Sequence, residues 1–344
     1  MGASAAPARR EVVLTPPAAS AGAAPIPAAD EPAPKTGRIT RAEIVTPPEF
    51  ADCRPAGHEA ARVGGARVEL TTTDGGITRL GRCYQQIPLR LMPPFALQDE
   101  PASLLYFITL TAGLLDGDAH LVRLHARRGS RAVVTGQAAA RVHPSRGSFA
   151  TQQWSAKVED DAFLVVLPGP LIPYAASRYH QRGRVDLAPR GRLIWGDVWY
   201  AGRYSRGHLS ERFVFDRIVQ DFEARRSGRL VYRERFRWDG PWNEDAIQWH
   251  FGGELAAGSL MVAGPVPDDL AFDAPGVRAA RLPLDTGITC LRWCGPPAIV
   301  TTLVARTALA VAGFWTGGPG APPWLLESTA LAPNHWFSKP PMDP

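Results

Sequence analysis

Lysine is nearly missing from this chain: Lys35, Lys157 and Lys339 are the only three among 38 basic residues, which leaves 35 arginines to carry the positive charge. The planar arginine fork pairs bidentately with carboxylates, so a net charge of +5 built this way suits acidic protein partners as readily as nucleic acid. No nucleic-acid motif with interleaved aromatics accompanies the charge, which sets that class aside. A coding bias toward arginine in a GC-rich genome is the plain alternative. Cysteine is scarce as well. Cys53, Cys83, Cys290 and Cys294 are too few and too scattered for a disulfide framework, and they fit a reducing compartment. Cys290 and Cys294 share a face in either helix or strand, but two thiolates lack the further ligands of a structural metal site, and buried thiols are expected.

The usual catalytic signatures are missing too: there is no H-E-x-x-H, H-x-H, G-x-S-x-G or phosphate loop. His120 and His125, five apart, fall on opposite faces of a strand, His143 precedes a proline, and His180 sits among Arg178, Gln181 and Arg182. Catalytic groups do assemble from distant positions, so these absences weaken a hydrolase, metalloprotease or nucleotidase reading without abolishing it. Residues 1–34 hold 12 alanines and 7 prolines with no hydrophobic period. A disordered tail over residues 1–37 is expected, and Pro16, Pro17, Pro25 and Pro27 interrupt any apolar run of a secretory signal. The most membrane-like stretch, Ala298 to Trp315, carries Arg306 and several threonines, and a buried helix is expected there.

What is abundant is short apolar runs at near-constant spacing from Gly113 to Phe236, each closed by glycine or proline turns. Turn clusters at Arg128-Gly129, Pro144 to Gly147, Glu159 to Asp161 and Pro189 to Gly191 separate them, the pattern of an all-β architecture. Ala132, Val134 and Gly136 alternate with Arg131, Val133 and Thr135, and the two faces differ little in polarity. Such strands are covered on both sides, as in a sandwich or a helically wound sheet. Residues 38–344 read as a single domain whose last part, from about residue 285, is helical after a strand at Ile288 to Trp293, with a helix over Ala298 to Phe314.

Among the carboxylates Asp197 stands out, because it interrupts the apolar strand Leu193-Ile194-Trp195-Gly196-Asp197-Val198-Trp199, where an unpaired charge is costly. It requires a partner, such as Arg203, or contact with water. Asp116 and Asp118 flank Gly117 and read as turn formers or as ligands. Glu159, Asp160 and Asp161 form a solvated turn.

The pieces Gly76 to Leu80, Gly113 to Asp118, Gly136 to Ala139 with Arg141-Val142, Leu167 to Pro170 with Ile172-Pro173, and Gly202-Arg203 together resemble the urease accessory protein UreD (UreH) family. The resemblance covers roughly residues 65 to 245 well and the C-terminal hundred loosely. It implies an elongated β-helix-like body of stacked mixed sheets with a few C-terminal helices. It also implies a cytoplasmic, non-catalytic maturation chaperone that binds UreF and, through it, the GTPase UreG on the urease apoprotein. That assembly delivers nickel, a transient cargo and no resident cofactor, along an internal tunnel. Oxygen donors and an occasional imidazole hold Ni²⁺ loosely enough to release it, which makes Asp197, Asp116 and Glu211 the candidate ligands. His208 stands where the family usually has a glutamate, and Gly136 where it has a hydroxyl residue, so His208 or Glu211 takes over that glutamate's part. Arg203, Trp315 and Trp324 are the candidate partner-binding residues, aromatics and arginine being the usual interface anchors. The rival readings are an all-β isomerase or hydrolase using Asp197, His208 and an arginine, and a secreted carbohydrate- or surface-binding module.

Overall fold

The computed structural model describes residues 37–92, 95–96, 102–204 and 211–317. Its strands fall into two stacked sheets. The first contains β1 (Val63–Thr72), β2 (Thr78–Gln86), β6 (Ala119–Ala126), β9 (Ala150–Val158), β12 (Arg178–Leu187), β14 (Arg217–Arg226) and β15 (Arg229–Asp239), in the order β15-β14-β12-β9-β6-β1-β2. The second is built on β3 (Leu89–Leu91), β4 (Phe95–Ala96), β5 (Ser103–Thr109), β7 (Arg131–Gly136), β8 (Ala140–Val142), β10 (Phe163–Leu167), β11 (Pro170–Pro173), β13 (Arg192–Tyr200), β16 (Ala256–Ala263), β17 (Arg278–Leu284) and β18 (Ile288–Gly295). Its main path runs β17-β18-β16-β13-β10-β7-β5-β3, with β8 and β11 forming a short side ladder on β13.

From β5 to β14 the chain alternates sheets, and each new strand lies parallel to the previous one in its own sheet. This is the winding of a β-helix. It explains the constant spacing in the sequence, since one coil supplies one strand to each sheet. Antiparallel pairs close the ends, β1 with β2, β14 with β15, β13 with β16, and β16 with β18. Glycine serves where β1 and β6 approach most closely: Gly65 has φ +153, and a Cβ there would lie 1.8 Å from the Leu121 carbonyl oxygen.

Both faces of the second sheet are covered, as the near-equal polarity of its strands requires; all five residues of β10 are buried. Between the sheets Leu70, Leu105, Val122, Leu124, Val134, Trp154, Leu164, Val166, Trp195 and Phe222 form one core. At roughly 1.5–3 kcal/mol for each fully buried large apolar side chain, this layer dominates stability. On the far side of the second sheet lies α2 (Pro297–Thr316), whose Val300, Val304, Ala308 and Leu309 pack on Val165, Ile194, Leu260 and Leu291. Proline at its first position and Gly317 in the left-handed region at its end set its limits. It is long and apolar enough to cross a membrane, but 61% of that window is buried against the protein. A shorter helix, α1 (Glu244–Phe251), is capped by Asn243, which accepts from Ala246 N at 2.9 Å. It precedes the segment in which helices were expected. Its Phe251 joins Trp199, Phe213, Phe215, Trp238 and Trp242 in an aromatic cluster.

Candidate functional site

Parity along each strand decides which side chains enter the space between the sheets. In the first sheet His120, Gln152, Gln181 and Gln220 lie two or four residues from the core residues Val122, Trp154, Val185 and Phe222, and so point inward with them. The parallel register places them side by side, His120 against Gln152, Gln152 against Gln181, and Gln181 against Gln220. Across the gap, Asp197, Ser259 and Arg292 form a second row by the same logic, spaced two residues from Trp195, Met261 and Cys290. A polar layer therefore crosses an otherwise apolar interior.

Asp197 is 6% exposed and joins the two rows: Gln181 Nε2 donates to Oδ1 at 2.6 Å, and Trp195 Nε1 donates to Oδ2 at 3.0 Å. Burial pushes its carboxyl up to about 6, aided by the nearby Glu234, while the two donors and Arg292 hold it from rising further. Arg292 pairs with Glu234 at 2.5 Å and donates to the Tyr232 hydroxyl at 2.9 Å. Tyr179 donates to Gln152 Oε1 at 2.8 Å. Two members of the inward row have unsatisfied buried atoms: both ring nitrogens of His120 and the Gln220 amide oxygen lack a partner. Burial pulls the His120 imidazole down to about 4, so it is neutral at physiological pH.

Two hollows adjoin this layer. A pocket of about 350 Å³ is lined by Phe107, Gly136, Gln137, His120, Gln152 and Trp154. Behind it an enclosed cavity of about 10 Å³, bounded by Gln152, Gln181, Asp197 and Trp199, approaches the size of a single water. Gln152 and Trp154 line both.

The other expected site residues lie elsewhere. Asp116 accepts from Ser148 N at 3.0 Å and fixes a turn, while Asp118 accepts from Arg62 N and Leu115 N. Glu211 is paired with Arg203, whose Nε donates to it at 2.8 Å, and also accepts from Ala175 N; the guanidinium rests 4.1 Å from the Tyr174 ring centre. Arg203 is thus the partner of Glu211, and the donors to Asp197 are the neutral Gln181 and Trp195. Trp315 is half-buried at the end of α2, donating to Pro265 O at 2.7 Å, with Arg192 over its ring. His208 and Trp324 lie outside the described residues. Cys290 and Cys294 are thiols pushed up by burial. Among the described residues no group of three or more His, Cys, Asp or Glu side chains is arranged to hold a metal ion.

The glutamine row escaped sequence reading because its members are contributed by four successive coils. Aligning the coils in register, DAHL, ATQQ, YHQR and IVQD, is the signal that reveals it, with His120 and the three glutamines in the third column.

The chain is thus a wound two-sheet all-β protein with a polar layer crossing its apolar core. Comparison of sequences makes this specific. The UreD urease accessory protein family matches residues 62–324, and the chain belongs to that family. It is 36% identical to the urease accessory protein UreD of Natronomonas pharaonis over 237 residues, 64% of this chain and 77% of the relative. It is 30% identical to that of Sorangium cellulosum over 263 residues, 75% and 80% of the two chains, and 29% identical to that of an Anaeromyxobacter species over 250 residues, 68% and 81%.

Proposed function

We propose that this urease accessory protein acts as a non-catalytic cytoplasmic scaffold, binding UreF and through it UreG on the urease apoprotein, and that nickel passes to urease through its interior. The observation that carries the passage is the polar layer adjoining the 350 Å³ pocket. A cation cannot cross the apolar core unaided, and amide and carboxylate oxygens are donors weak enough to release it. Asp197 is hydrogen-bonded at the junction of the two rows, and serves there as the anionic ligand of the cargo. Asp116, Glu211 and His208 are secondary ligands in transit. Arg203, Trp315 and Trp324 supply anchors for the partner proteins, as arginine and tryptophan do at many interfaces.

The test is co-expression of urease and its accessory proteins with and without this chain. Urease that stays nickel-poor without it, and a complex retaining UreF and UreG with it, support the scaffold. Urease that matures equally well in its absence refutes the reading. Asp197→Ala, with the complex still assembling, separates passage from scaffolding: nickel content of urease falls while copurification persists.

A further inference from the structure

We propose that His120 is a ligand for a borderline divalent cation, the nitrogen donor at which a metal entering the 350 Å³ pocket is first held; the assignment rests on the passage reading above. His120 is 1% exposed, lines the pocket, and has neither ring nitrogen hydrogen-bonded. That is an unusual state. A buried imidazole ordinarily donates one nitrogen and accepts at the other, and leaving both unmet costs on the order of 1–3 kcal/mol each. His180, the other buried histidine among the described residues, differs in having its Nδ1 within 3.3 Å of the Thr151 hydroxyl. The His120 ring is neutral, so a lone pair is free to bind a metal without first losing a proton.

Its neighbours set what it would bind. Gln152 is its register partner, and Trp154 and Phe107 supply the apolar wall of the same pocket. One imidazole with amide oxygen beside it and no thiolate or second imidazole among the lining residues makes a weak site, selective for Ni²⁺ or Zn²⁺ over Mg²⁺ or Ca²⁺ because imidazole suits the former. Gln152 also lines the small cavity that reaches Asp197, so the same side chain borders both the nitrogen donor and the anionic one. The order of ligands is then imidazole, amide, carboxylate.

The test is a titration of the full-length chain with NiCl₂, following the imidazole resonances of its eight histidines by long-range proton–nitrogen correlation. Paramagnetic Ni²⁺ is expected to broaden His120 first, and Zn²⁺ to shift the same signals. His120→Gln should weaken Ni²⁺ binding by roughly tenfold or more while circular dichroism stays unchanged. Broadening that begins at other histidines, or a His120 signal untouched at saturating Ni²⁺, overturns the assignment. Should His120→Gln not fold, the wild-type titration alone decides. Because the readout is metal contact in this chain, its failure alongside normal urease maturation sinks only the His120 assignment, whereas loss of the maturation requirement sinks the passage reading.

Discussion

Replacing Asp197 by asparagine isolates the cost of burying a charge at the centre of the protein. The carboxyl is displaced from 3.8 in water to about 6 by burial. At 1.36 kcal/mol per tenfold change in proton affinity, ionised Asp197 opposes folding by on the order of 3 kcal/mol once the pH exceeds 6. The sign follows from proton counts. Between pH 3.8 and 6 the folded chain holds the proton more tightly than the unfolded one, so this contribution lowers stability as pH rises through the window and is constant above it. Asparagine removes the charge but keeps one acceptor for two donors, Gln181 Nε2 and Trp195 Nε1, and so loses about 1 kcal/mol of hydrogen bonding. Asp197→Asn is therefore expected to be more stable than wild type by about 2 kcal/mol at pH 8 and less stable by about 0.5 kcal/mol at pH 4, where the wild type retains only a small part of the penalty. Urea denaturation at the two pH values reads this difference directly. A stability change of the same sign and size at both refutes a buried, ionisable Asp197.

Stability of the wild type should fall as pH drops below 6.5, because His180 is pulled down to about 3, first by burial and then by Arg182 and Arg235, and the unfolded chain takes up the proton it refuses. His180→Gln makes that limb shallower without abolishing it, because His120, pulled down to about 4 by burial, acts in the same direction, as pH-dependent melting will show. Trp154→Ala should cost about 3–5 kcal/mol, since the side chain is 7% exposed and packs edge-on against Phe107 and Trp195; calorimetry measures the loss. Gly183→Ala places a Cβ 2.2 Å from the Phe222 ring, itself 5.0 Å from Trp195, and should cost about 1–3 kcal/mol in denaturant titration. Arg203→Ala leaves Glu211 with only part of its bonding and removes the contact with Tyr174, a loss of about 1–2 kcal/mol in the same assay.

The fold was largely legible in the sequence, the site only in part. Runs such as Arg131 to Gly136 and Phe163 to Leu167 announce strands through β-branched residues and turn glycines, and the apolar pattern after Ala298 announces α2. The residues of α1 escaped because eight residues between two strands give too short a period to read. Asp197 was recognisable as costly from its apolar flanks, yet its donors were not, since Gln181 belongs to another sheet. Arg203, the expected partner, is drawn instead to Glu211, eight residues away along the chain. His120 looked unremarkable by linear spacing. Only winding the chain puts it beside Gln152 and leaves its nitrogens without partners.

The parallel register has a metric consequence. Neighbouring strands lie about 4.8 Å apart, so His120, Gln152, Gln181 and Gln220 form a ruler whose marks fall at that interval, about 14 Å from end to end. Metal–oxygen and metal–nitrogen bonds are roughly 2–2.2 Å long. Half the strand interval, about 2.4 Å, is close to those bond lengths, so the spacing suits the proposed passage, in which an ion between two marks would have a donor on either side.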